Sequence, residues 1–161
     1  MTTPDFEALL KVLVTGEVEF VLVGGYSAML HGSSLMTRDV EIVCPMHPEQ
    51  LTRLWHSLEP FTPIHRTAKD DRPFTSEDAS RKDWKNLYLR TELGVLDCLG
   101  EVKGLGDYQA CLSRSTTLKF GEITIQTLTL EALIEAKRAM GRPRDLHTAD
   151  ELELIQQRQK P

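Results

Sequence analysis

The sequence predicts an α+β fold, a small mixed β-sheet with flanking helices and a helical C-terminus. Two pairs of strand-like runs fold back at glycines, residues 87–91 with 95–99 about Gly94 and residues 117–120 with 123–127 about Gly121-Glu122. Apolar residues recur at helical spacing near both ends, as Phe6, Leu9, Leu10 and Leu13 and as Leu130, Leu133, Ile134 and Ala136. The 161 residues, 40% apolar and 27% charged, suit one domain over residues 1–161, of which 128–161 form the helical C-terminal part.

In chain order, Thr3-Pro4 offer a capping hydroxyl and an N1 proline to a first helix that runs out near Gly16. Residues 19–23 are β-branched and aromatic enough for a buried strand, which Gly24-Gly25 end. Residues 26–30 suit a short helix. Residues 38–44 alternate acidic and apolar side chains until Pro45 breaks the strand. Pro48 opens a helix whose Leu51, Leu54, Trp55 and Leu58 share a face. A strand over 62–66 leads into 67–82, a polar run with Pro73 that reads as a mobile loop, with Trp84 beside it as a ring on which a base could stack. Beyond the hairpin about Gly94 come a glycine-punctuated connection, 100–106, a turn of helix, 108–112, and the second hairpin. Thr129 caps the next helix, and Gly141-Arg142-Pro143 separates it from a last one ending near Gln157.

A formal net charge of −5 excludes a protein that coats nucleic acid through charge alone. No apolar run approaches the length of a membrane span and the N-terminus lacks a signal peptide, so a cytoplasmic protein is expected. The three cysteines, Cys44, Cys98 and Cys111, are widely spaced and read as reduced core residues.

The candidate chemistry sits between residues 20 and 42. Asp39 and Glu41, two apart on a strand, project from one face roughly 7 Å apart along the backbone, while Val40 and Ile42 point into the core. Carboxylates held that close repel, and a shared hard cation, Mg²⁺ or Mn²⁺, relieves them. Asp97 is a third acid, in an otherwise apolar strand; a neighbouring position in the sheet would bring it into the cluster. Gly24 and Gly25 let backbone approach a phosphate closely, with Ser27 adding a hydroxyl. Lys137, Arg142 and Arg144 are cations suited to phosphate, or else a solvated helix end, and His31 reads as a helix-end packing group.

These motifs resemble the DNA polymerase beta-like nucleotidyltransferase superfamily. Val23-Gly24-Gly25, then Asp39-Val40-Glu41-Ile42, then Asp97 fill its pattern, and the run from Val23 to Gly32 with Thr37 to Glu41 is similar to the small bacterial minimal nucleotidyltransferases and type IV abortive-infection toxins. Lys137, Arg142, Arg144 and Asp145 resemble the C-terminal basic motif of those proteins. The chain differs in carrying Glu41 where relatives most often have Asp, and Leu35 or Met36 where an Arg is common. The resemblance implies a nucleotidyltransferase fold with helices on one side of the sheet, acids at one edge and a C-terminal helical pair closing the cleft. It implies metal-dependent transfer from an NTP to an RNA or protein hydroxyl, with Asp39, Glu41 and Asp97 binding metal, Gly24, Gly25 and Ser27 cradling phosphates, and Lys137, Arg142 and Arg144 contacting triphosphate or acceptor. A non-catalytic binding protein of the same fold, or the toxin of a pair with an antitoxin partner, are the alternatives.

Overall fold

The computed structural model describes residues 3–160. Its centre is a seven-stranded mixed sheet in the order β3-β4-β5-β2-β1-β9-β8. The strands are β1 (Val21–Val23), β2 (Asp39–Val43), β3 (Ile64–His65), β4 (Asn86–Thr91), β5 (Gly94–Leu99), β8 (Ser115–Phe120) and β9 (Ile123–Leu128); β6 (Glu101–Val102) and β7 (Gly106–Asp107) form a separate hairpin in the glycine-punctuated connection. β2 runs parallel to β5, and β1 parallel to β9. The other pairings in the large sheet are antiparallel.

The helices are α1 (Phe6–Thr15), α2 (Gly24–Leu30), α3 (Pro48–Leu58), α4 (Ser76–Ala79), α5 (Tyr108–Leu112), α6 (Leu130–Met140) and α7 (Pro143–Gln159). They flank both faces of the sheet, not one. Alternation along the strands explains why: Val40, Ile42, Leu96 and Cys98 join α1 and α3 in one apolar core, whereas Val21, Val23 and Val43 join α6 and α7 in another. A second correction concerns the acids, which lie on β2 and β5 near the middle of the sheet rather than at its edge.

Local signals explain most element ends. Asp5, not Thr3, caps α1, its carboxylate accepting from the Ala8 N–H at 2.9 Å. Thr129 caps α6 as expected, Gly141 ends it in the left-handed region at φ 72°, and Pro143 opens α7. The β4–β5 turn is tighter than read, since Gly94 already pairs with Thr91 as the first residue of β5.

The polar run 67–82 holds a built structure. Thr75 and Asp78 form a reciprocal capping box on α4, and Phe74 and Ala79 are buried. Asp78 also bonds His65 Nε2 at 3.0 Å and Arg72 Nη1 at 3.1 Å, and its carbonyl accepts from the Trp84 indole at 2.8 Å. Trp84 in turn stacks on His65 and lies beneath Arg81, so its ring serves packing.

Candidate active site

Strand β2 carries Asp39 and Glu41 on one face, with Val40 and Ile42 fully buried on the other. Parallel pairing with β5 sets Asp97 directly beside Glu41. One oxygen from each of the three carboxylates lies within 4.8 Å of the others, the convergence that the sequence spacing left open. Hard oxygen donors at that separation fit a hard divalent cation.

The acids differ in their surroundings. Asp39 is half-buried and accepts from the Thr37 hydroxyl at 3.1 Å. Burial and the Asp39 charge push the Glu41 carboxyl up from its ordinary range, with Asp97 adding to the effect; Lys137 and Arg142 oppose it. Asp97 is only 4% exposed. Arg66, just past β3, grips it with two parallel bonds, Nε to Oδ1 at 3.0 Å and Nη2 to Oδ2 at 2.7 Å, and rests over the Tyr88 ring.

Gly24 and Gly25 are the first residues of α2, and the need for glycine is specific at the first. Gly24 has φ +70°, and a Cβ there would overlap the Glu41 carboxylate. A Cβ at Gly25 would press on Thr37 at 3.0 Å. The glycines thus bring α2 against β2 and its acids. Ser27 departs from its expected role: it is fully buried and its hydroxyl shares a 2.5 Å hydrogen bond with Thr127, whose hydroxyl donates to the Leu22 carbonyl. That bond ties α2 to β9 and keeps the hydroxyl away from any phosphate.

The basic residues of the C-terminal helices divide. Asp145, 2% exposed, bonds Arg142 Nε at 2.5 Å and lies 3.7 Å from Lys137 Nζ. Burial alone would raise the Asp145 carboxyl, but the Arg142 bond and the charges of Arg142 and Lys137 hold it below its usual value. Both cations are near enough to Glu41 for their charges to lower its carboxyl. Arg144 is exposed on α7 and, among the described residues, makes no ion pair. His31 Nε2 meets the Leu128 carbonyl at 2.8 Å, which makes it a packing residue at the end of α2.

Sequence reasoning missed Arg66 and Thr37. Thr37 was within reach, two residues before Asp39. Arg66 was not, because only the β3-β4-β5 order carries it to Asp97.

No family model matches the chain, and no curated protein matches it by sequence. Solved structures do. The chain is similar to the lincosamide antibiotic adenylyltransferase LnuA in its lincomycin-bound form, with a TM-score of 0.61 at 15% identity over 96% of this chain and 99% of that one. It is also similar to an antigenic nucleotidyltransferase-like protein from Paracoccidioides brasiliensis, with a TM-score of 0.55 at 16% identity over 92% of this chain and 72% of that one. The fold is that of the nucleotidyltransferases.

Proposed function

We propose that the protein transfers a nucleotidyl group from an NTP to a hydroxyl acceptor, with Mg²⁺ or Mn²⁺ held by Asp39, Glu41 and Asp97. The observation that carries this reading is the convergence of the three carboxylates within 4.8 Å on adjacent parallel strands. A divalent cation bound there would neutralise the triphosphate and help align the acceptor oxygen with the α-phosphorus. Lys137 and Arg142, held in place by Asp145, are suited to the outer phosphates. The acceptor oxygen bonds to the α-phosphorus, the bond to the bridging oxygen breaks, and pyrophosphate departs with that electron pair. Asp97 is placed to take the acceptor's proton once one of its oxygens is free. Gly24 and Gly25 supply backbone close to the acids, and Arg144 is left for a bulky acceptor.

RNA or protein is the acceptor class implied by the sequence resemblance. A small hydroxylated molecule is the second reading, favoured by the match along nearly the full length of an antibiotic adenylyltransferase. Incubation with α-labelled NTPs, Mg²⁺, and in turn cell RNA, protein and hydroxylated small molecules tests all three. Transfer to one class is expected, falling by about 10²-fold or more in Asp39→Ala. Transfer that survives Asp39→Ala would defeat the site assignment, and no transfer with any NTP would favour a binding protein that keeps the fold. Growth arrest on expression, relieved by a co-expressed antitoxin partner, would support a toxin.

A further inference from the structure

Both oxygens of Asp97 are already engaged. The Arg66 guanidinium covers them in a planar fork at 3.0 and 2.7 Å, the geometry in which arginine holds a carboxylate most firmly. Arg66 is not a loose surface side chain. Its backbone N–H donates to the Tyr88 carbonyl at 3.0 Å, its guanidinium rests on the Tyr88 ring, and its neighbour His65 is locked to Asp78. Its side chain is 34% exposed while that of Asp97 is 6% exposed, so the pair has one wet and one dry partner. Asp39 and Glu41, by contrast, form no ion pair among the described residues. A cation using all three acids meets a positive charge already bonded to the third, and the two repel.

We propose that Arg66 is a built-in competitor for the metal: in the resting protein a divalent cation rests on Asp39 and Glu41, and Asp97 joins only when Arg66 lets go. This rests on the reading of the acid cluster as a metal site. A phosphate offers the guanidinium the same two-pronged partner as a carboxylate, so the arriving nucleotide is the group chemically able to draw Arg66 away. The third carboxylate is then released when substrate is present, the moment at which it is needed.

Mn²⁺ binding to nucleotide-free protein, followed by the EPR signal of free aqueous Mn²⁺, tests the proposal without reference to catalysis. Arg66→Gln is expected to bind Mn²⁺ about tenfold more tightly than wild type, and Arg66→Lys, which keeps the charge but loses the fork, by an intermediate factor. Arg142→Gln removes a nearby charge that bonds Asp145 instead of a proposed ligand, and its gain should stay within about twofold. Equal affinity in wild type and both Arg66 variants overturns the proposal. So does an equal gain in Arg142→Gln, which would mean that the general field, and not occupation of Asp97, sets affinity. Asp39→Ala separates the two levels: its binding should be lost, and unchanged Mn²⁺ affinity there would remove the metal-site reading and the proposal with it.

Discussion

Glu41 carries one methylene more than the aspartate two residues before it, and Gly24 makes the room. The two positions are coupled, since the glycine that a left-handed backbone requires is also the glycine whose missing side chain leaves space for the Glu41 carboxylate. The cost falls on the folded state. Burial and Asp39 raise the Glu41 carboxyl, and an acid whose pKa is raised by folding stabilises the fold while protonated, a contribution lost as pH rises through that raised value. At pH 8 without metal, Glu41→Gln should therefore melt at a higher temperature than wild type, with the difference shrinking as pH falls. Added Mg²⁺ should reverse the order, because a ligand at 100 times its Kd stabilises wild type by about 2.7 kcal/mol while the variant loses a ligand oxygen. Thermal melts with and without Mg²⁺ check both halves, and an apo variant no more stable than wild type would contradict the electrostatic account of Glu41.

Among the elements, the segment between β3 and β4 differs most from its reading. Its polar composition pointed to a loop, yet Asp78 gathers His65, Arg72 and the Thr75 N–H around one carboxylate. Burial works against the charge, but these bonds prevail and hold Asp78 at about 2. Its contribution to stability is complete above the ordinary carboxylate range and is lost as pH falls from about 4 towards about 2. Asp78→Ala should cost roughly 2–4 kcal/mol in urea unfolding, open residues 67–83 to protease, and remove that acid dependence. Undiminished stability would mean that Phe74 and Ala79 alone hold the segment. The contrast with β2 shows what was legible. Asp39 and Glu41 declare their shared face by alternation with Val40 and Ile42, and Thr129 acts through a near neighbour in sequence, the Ala132 N–H. The Asp78 network is local, within 13 residues of chain, but it is built from polar side chains, and the Arg66–Asp97 pair is brought together by strand order; hydrophobic period carries no information about either. Ser27 failed for a related reason: its hydroxyl partner, Thr127, lies 100 residues away.

At the scale of the whole molecule, one sheet serves two apolar cores, and the acid cluster shares its face with the α6–α7 core. Leu54 on α3 and Leu152 on α7 are both fully buried, on opposite faces. Truncation of either to alanine should cost about 2–5 kcal/mol, and each variant should still unfold in one urea transition with an unchanged slope. A two-step transition in either would divide the chain into separate cooperative units and contradict its reading as one domain. The interior strand β1 has a consequence in time. Its partner on one side, β2, follows closely, but its partner on the other, β9, pairs Thr127 with Leu22 across 105 residues of chain. β2, β4 and β5 can zip together while one side of β1 still waits, and the three acids all precede Lys137 and Arg142 in the chain. Docking of β9 closes the longest loop in the sheet, a non-local step of the kind that slows folding, and α6 and α7, which carry Lys137 and Asp145, follow β9 in the chain.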